Sequence, residues 1–467
     1  MTEYSYIWVC FMTMNKFKRH IWSDLHSWKA NEDRKPLILR GARQVGKTTI
    51  VRSLSKTYAH FIELNLEKQE DFELIENSKN VQELANALAL KNEISSNQFS
   101  KTLLFIDEIQ ESPKAIGFLR YFYEEIADLN VIAAGSLLEH ALDKTKHFPV
   151  GRVNYLYLFP LNFQEYLEAK GKEMLLERML KIPVDKVAHE ILLKEFQIYC
   201  IIGGMPEIVA NFVKNEDISL LPPIYESIWN TYKDDIVKYA SGKSEENIIK
   251  HIVNSAPALI NQRIKFQNFG NSNYKSREIS EAFKNLDDAK VIQIIYPCTN
   301  IEPPVIPDLK KSPRMQFLDT GILNFDLNIQ ADLLLMDDLS EAYKGALIPH
   351  IITQEIISLN TTDYQKPNFW VRDKTQSSAE VDLVVTHHNL LIPVEIKSGK
   401  TGSLKSLHQF VNKTNHPFAV RIYGGEFCIE ETKTPEGKPY FLMNLPYYLG
   451  TLLNEYISYF VGKYILE

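Results

Sequence analysis

Eight consecutive residues, Gly41-Ala42-Arg43-Gln44-Val45-Gly46-Lys47-Thr48, restrict the fold of this 467-residue chain more than any other stretch. They follow Pro36-Leu37-Ile38-Leu39-Arg40, which reads as a short buried strand, and lead into a helix expected from Thr49 to about Tyr58. The pattern is G-x-x-x-x-G-K-[ST] between a strand and a helix. Each part has a physical task. Gly41 and Gly46 let the backbone turn tightly, so that successive N–H groups face a phosphate. The helix that starts near Lys47 adds its positive end. Lys47 neutralises the β/γ oxygens of a nucleoside triphosphate, and Thr48 gives its hydroxyl to Mg²⁺. The cradle is therefore Gly41 to Thr49, with ATP and Mg²⁺ as the implied ligands.

A second run completes such a site. Leu103-Leu104-Phe105-Ile106 is an apolar strand that ends in Asp107-Glu108. A buried strand of this kind aims its C-terminal carboxylates at the nucleotide cleft. Asp107 would hold Mg²⁺ through water, and Glu108 would orient or deprotonate the attacking water. Between the two motifs there is room for one strand–helix pair, predicted as Phe61–Leu66 and a helix from Asp71 to Leu90. A helix around Ala115–Leu129 leads to the strand Val131–Ala134, and Tyr155–Leu158 is a last strand before Pro160. Strands alternating with helices predict a parallel sheet covered on both faces. An amphipathic helix over residues 14–34 precedes it, with Phe17, Ile21, Leu25 and Trp28 at helical spacing.

Composition narrows the setting. Lys+Arg minus Asp+Glu is 52 − 59, a net charge of −7, which excludes a protein that coats nucleic acid by bulk charge. Hydrophobic residues at 45% and charged residues at 24% supply real cores, and the length suggests roughly three domains. Four isolated cysteines, Cys10, Cys200, Cys298 and Cys428, form no C-x-x-C motif and fit a reducing, cytoplasmic compartment. No apolar run approaches a membrane span. Residues 6–12 are apolar but lack a basic leader, and Met14 is the expected natural start.

With Ala134-Gly135-Ser136, Pro149-Val150-Gly151-Arg152-Val153 and Leu158-Phe159-Pro160-Leu161-Asn162-Phe163-Gln164-Glu165-Tyr166 added, the two motifs resemble prokaryotic AAA+ ATPases that carry a C-terminal domain of unknown function. The resemblance spans most of the chain. It implies that Ser136 senses the γ-phosphate and that Arg152 is an arginine finger or sensor; a finger acting in trans implies a homo-oligomer. The resulting fold class is α/β: a P-loop AAA+ parallel sheet with a helical lid, a winged-helix unit and a restriction-endonuclease-like C-terminal domain. The expected divisions are an N-terminal segment (1–35), ATPase core (36–165), lid region (166–243), winged helix (244–300), linker (301–313) and nuclease-like domain (314–467).

In the winged-helix segment, Ile248–Val253 marks a first helix, Phe266–Phe269 a short second, Lys275–Ala289 a third and Val291–Tyr296 a wing strand. Seven Lys/Arg against six Asp/Glu between 244 and 296 leave +1, too little to choose DNA over a docking protein as partner. Farther on, strands near 369–372, 380–386, 390–396 and 418–423 are expected. Asp382, Glu395 and Lys397 resemble the D…(D/E)-x-K core of restriction-endonuclease-like nucleases. Alternation places Glu395 and Lys397 on one strand face, where with Asp382 they would hold Mg²⁺ for phosphodiester hydrolysis or form a structural ion cluster. That family adds a helical glutamate. The equivalent helix, expected over Glu341–Leu359, has Pro349-His350 where it is usual, leaving Glu341 and Glu355 as candidates. Three functions follow: an ATPase whose nucleotide state repositions the C-terminal units, an ATP-gated nuclease, or a non-enzymatic ATP-dependent switch.

Overall fold

The strand before the eight-residue loop, β1 (Leu37–Arg40), lies inside a five-stranded sheet with β2 (His60–Asn65), β3 (Thr102–Asp107), β4 (Asn130–Gly135) and β5 (Asn154–Tyr157). The order is β2-β3-β4-β1-β5 and every pairing is parallel. All six residues of β3 and all six of β4 are buried, as a sheet covered on both faces requires. Ile38, Leu104, Ile106 and Ala133 pack one core with Leu119 and Phe122 of the helix Pro113–Glu125. The computed structural model describes residues 17–136, 151–237, 240–260, 262–336, 339, 345–362, 365–373, 379–397 and 404–464. Residues 1–13, Cys10, Met14 and Glu341 lie outside them.

The described chain divides into two compact units. The first runs to Phe159 and includes Asn285–Val291 and Asn360–Tyr364; the second holds Pro160–Lys284, Ile292–Leu359 and the chain from Gln365 onward. The second unit begins with helices Phe163–Ala169, Glu173–Leu180, Lys186–Ile202, Pro206–Asn215 and Pro222–Val237. After the helix Lys243–Ser255, β6 (Ile292–Ile295) pairs antiparallel with β8 (Arg314–Phe317). A seven-stranded sheet contains β7 (Pro297–Cys298), β9 (Asn368–Val371), β10 (Glu380–His387), β11 (Leu390–Ile396), β12 (Phe418–Tyr423), β13 (Cys428–Lys433) and β14 (Pro439–Pro446). Its order is β13-β14-β12-β11-β10-β9-β7.

Several expected elements change. The helix predicted from Asp71 to Leu90 is two, Gln69–Asn77 and Val81–Lys91. Asn80 breaks it: its side chain accepts from the Glu83 N–H at 2.8 Å and starts a new helix. In the N-terminal helix only Trp22–Ala30 is helical among the described residues, and Asn31 is already extended. The short helix expected at Phe266–Phe269 is a 3-10 turn at Phe269–Asn271. The helix expected over Glu341–Leu359 runs from Leu347 to Ser358.

Candidate functional site

The end of β1 turns at once into the loop. A Cβ on Gly41 would lie 2.3 Å from the Leu158 carbonyl oxygen, so only glycine fits where the chain leaving β5 passes β1. Gln44 (φ 60°) and Gly46 (φ 100°) are left-handed, and Gly46 caps the helix Lys47–Ser55. Left-handed residues within a tight turn are the geometry of an anion-binding nest. Ala42 and Val45 are buried, and Thr49 lies half-buried in the helix's first turn. Arg43 leans outward to Glu67 at 2.9 Å.

Lys47 is buried, and its ammonium donates to the carbonyls of Gly41 (2.9 Å) and Ala42 (2.8 Å). Burial lowers its pKa to about 8, against the opposing charges of Glu108 and Asp107. The Thr48 hydroxyl donates to Asp107 Oδ2 at 2.7 Å. Burial raises the Asp107 pKa, and the Thr48 bond pulls the other way. Glu108 is left-handed (φ 53°); its N–H donates to Asp107 Oδ1 at 3.1 Å, and its Oε2 accepts from Gln110 at 2.6 Å. These residues leave β1 and β3 at the same edge of the sheet, the C-terminal end where α/β folds bind ligands. Ser136 follows β4 there, buried, and its hydroxyl has no hydrogen-bond partner among the described residues. Arg152 is elsewhere: it pairs with Glu124 at 3.0 Å, with 46% of its side chain exposed.

The chemistry of this donor set fits Mg·ATP. Thr48 and Asp107 offer two hard oxygens side by side, and Lys47 is a cation whose hydrogen-bond partners among the described residues are neutral carbonyls. One contributor escaped the motif. Arg19 is buried and donates to the Val45 carbonyl at 3.1 Å and to Phe159 at 2.5 Å, fixing the back of the loop.

The second unit holds a polar cavity of about 410 Å³, and Asp382, Glu395 and Lys397 all line it. Alternation along β10 turns Glu380 and Asp382 into the cavity and Val381 into the core, and a register shift between Val381 and Val384 adds Leu383 to the cavity and returns Val384 to the core. Lys397 bonds Glu395 Oε1 at 2.6 Å. Glu395 is 4% exposed, its Oε2 has no hydrogen-bond partner among the described residues, and its pKa is pushed up to about 7, first by burial and then by the Asp382 charge. Arg314 from β8, absent from the sequence reading, stands among these carboxylates and pairs with Glu380 and with Asp382 at 3.1 Å. Glu355 does not belong here. It is fully buried outside the cavity lining and accepts from Tyr199 Oη at 2.7 Å and the Phe163 N–H at 3.0 Å. Pro349 and His350 line the cavity in its place.

Residues 33–167 match the family model described as an AAA domain. That segment is a P-loop domain of the AAA type, and it contains every element of the loop site but Arg19. Two further models match: a domain of unknown function (DUF8612) over residues 193–333 and another (DUF4143) over residues 344–442. No curated protein matches. Among solved structures, the chain is similar to a Walker-type ATPase of Pyrococcus abyssi, with 14% identity, 66% of this chain and 96% of that one covered, and a TM-score of 0.43. It is also similar to a signal transduction ATPase with numerous domains, bearing a tetratricopeptide repeat sensor, from Pyrococcus horikoshii. There the identity is 11%, the coverage 74% of this chain and 49% of that one, and the TM-score 0.27. No helix among the described residues is long and apolar enough to cross a membrane.

Proposed function

We propose that the chain binds Mg·ATP at Gly41–Thr49 and hydrolyses it to ADP and phosphate. The observation that carries this reading is the 2.7 Å bond from Thr48 to Asp107, which brings the two halves of a magnesium site together. Lys47 would exchange its carbonyl partners for phosphate oxygens, a charge-assisted bond in place of a neutral one. Glu108, one residue beyond Asp107, would orient the attacking water and accept its proton. Ser136 would bond the γ-phosphate from the end of β4. Calorimetry of ATP binding to the wild type and Lys47→Ala, with turnover measured with and without DNA, tests the reading. Unchanged affinity in Lys47→Ala would sink it.

The nucleotide state would govern the second unit, whose partner is DNA or a protein. A winged-helix reading of residues 244–300 is supported by its wing strand β6, which pairs antiparallel with β8 beyond the proline-rich linker 301–313. Asp382, Glu395 and Lys397 share a cavity, as a metal-dependent nuclease would need, but Arg314 stands among them, and no cutting is proposed.

A further inference from the structure

The carboxylates of the second cavity are already served by a cation. The Arg314 guanidinium donates from Nε to Glu380 Oε1 at 2.7 Å, and from Nη2 to both Glu380 and Asp382. Its Nη1 reaches the Asp382 carbonyl at 3.4 Å. The Phe369 ring lies 4.5 Å from the guanidinium carbon and fixes its plane. Asp382 Oδ2 is also taken, accepting from the Ile396 N–H at 2.9 Å. With Glu395 Oε1 on Lys397, one carboxylate oxygen of the Asp382–Glu395 pair lacks a partner among the described residues, the buried Glu395 Oε2. Among the described residues no group of three or more His, Cys, Asp or Glu side chains is placed to hold a metal ion. A single open oxygen beside a guanidinium does not fit a hard divalent ion, which wants six or so oxygens and no neighbouring positive charge.

We infer that Arg314 is the resident cation of this cluster and that the cluster takes no divalent ion while it stands there. Asp382 and Glu395 then form a latent cation site, closed by a residue from β8 rather than by loss of the carboxylates. Two charges roughly 4 Å apart in a protein-like dielectric repel by far more than a tenfold change in binding. Removing the guanidinium should therefore tighten divalent binding at Asp382 and Glu395 by at least about a hundredfold.

The test is Mn²⁺ binding to the nucleotide-free full chain, followed by electron paramagnetic resonance. Wild type and Asp382→Asn should bind the same number of ions, because any Mn²⁺ at Thr48 and Asp107 is common to both. Arg314→Met should bind one more, and Arg314→Met/Asp382→Asn should lose it. Arg314→Met leaves buried carboxylates unpaired and will melt lower, so thermal unfolding is recorded with and without Mn²⁺. Mn²⁺ should raise its midpoint by more than it raises that of wild type or the double variant, whose shifts should match. A wild-type ion lost with Asp382→Asn, metal-dependent nicking of plasmid DNA abolished by that substitution, or Arg314→Met that neither gains an ion nor is stabilised by Mn²⁺ more than wild type would each overturn the inference. None of these outcomes touches the Lys47 site, which lies in the other unit.

Discussion

Lys47 is the residue at which environment most changes chemistry. Burial holds its pKa near 8, and its two carbonyl partners supply no negative charge. A phosphate in the loop would restore the ordinary protonated state, so binding at or above that pH must take up a proton. ATP affinity should fall as pH rises above about 8. Calorimetry at pH 8 in two buffers of different ionisation enthalpy should give heats that differ by about half a proton, because the free lysine is half protonated there; equal heats would remove Lys47 from the phosphate. Glu108→Gln should bind ATP as wild type does and lose turnover by roughly 10²-fold or more, since an amide keeps the shape but takes no proton. Single-turnover phosphate release checks it. The glycine, lysine, threonine and acidic residues of this site were legible in sequence because their spacing is fixed within a loop and a strand end. Arg19 and Arg314 were not, because a lone arginine's partners are chosen by tertiary packing, here with carbonyls up to 140 residues away and carboxylates up to 68 away.

Elements were readable where period and caps agreed, and misread where a local competitor won. The five strands of the parallel sheet and the β10–β11 hairpin follow apolar runs in the sequence. By contrast, β13 (Cys-Ile-Glu-Glu-Thr-Lys) has a polar, largely exposed pattern, and its strand character comes from pairing with β14. The shift in β10 also escaped alternation, and it is what sets Leu383 beside Asp382 in the cavity. A buried network at the junction of three elements was equally hidden. The Asp319 carboxylate accepts from the N–H groups of Gly204 (2.6 Å) and Ile322 (3.1 Å), and Glu355 lies one residue beyond Gln354, whose Oε1 accepts from the Thr320 N–H. Burial raises Glu355 from 4.5 to about 8, despite the Tyr199 and Phe163 bonds. The folded state therefore favours the protonated form. Its contribution to stability is complete below pH 4.5 and is lost as pH rises through 8, at up to roughly 1.4 kcal/mol per pH unit. Glu355→Gln should flatten this slope, so the variant gains on wild type between pH 5 and 8. Parallel losses in urea melts at the two ends would show that Glu355 stays ionised in the fold.

At the scale of the molecule, the open matter is whether one chain completes its own site. Arg152 belongs to the first unit, yet its described partner is Glu124 and not a residue of the loop. An exposed ion pair of this kind contributes little to stability, so the guanidinium can leave it at little cost. An arginine that completes a neighbour's site can raise phosphoryl-transfer rates by roughly 10³-fold or more. If Arg152 acts in trans, Arg152→Ala and Lys47→Ala should each be inactive for different reasons: the first binds ATP without its neighbour's help, and the second binds none. Mixed, they complement each other, because a Lys47→Ala subunit still offers Arg152 to an Arg152→Ala neighbour whose loop is intact. Turnover in the mixture should then rise above the sum of the two alone, and light scattering should find an oligomer under the same conditions. In a cis arrangement no mixture recovers activity, since every subunit carries a defect in its own site. An active, strictly monomeric wild type would likewise refute the trans role.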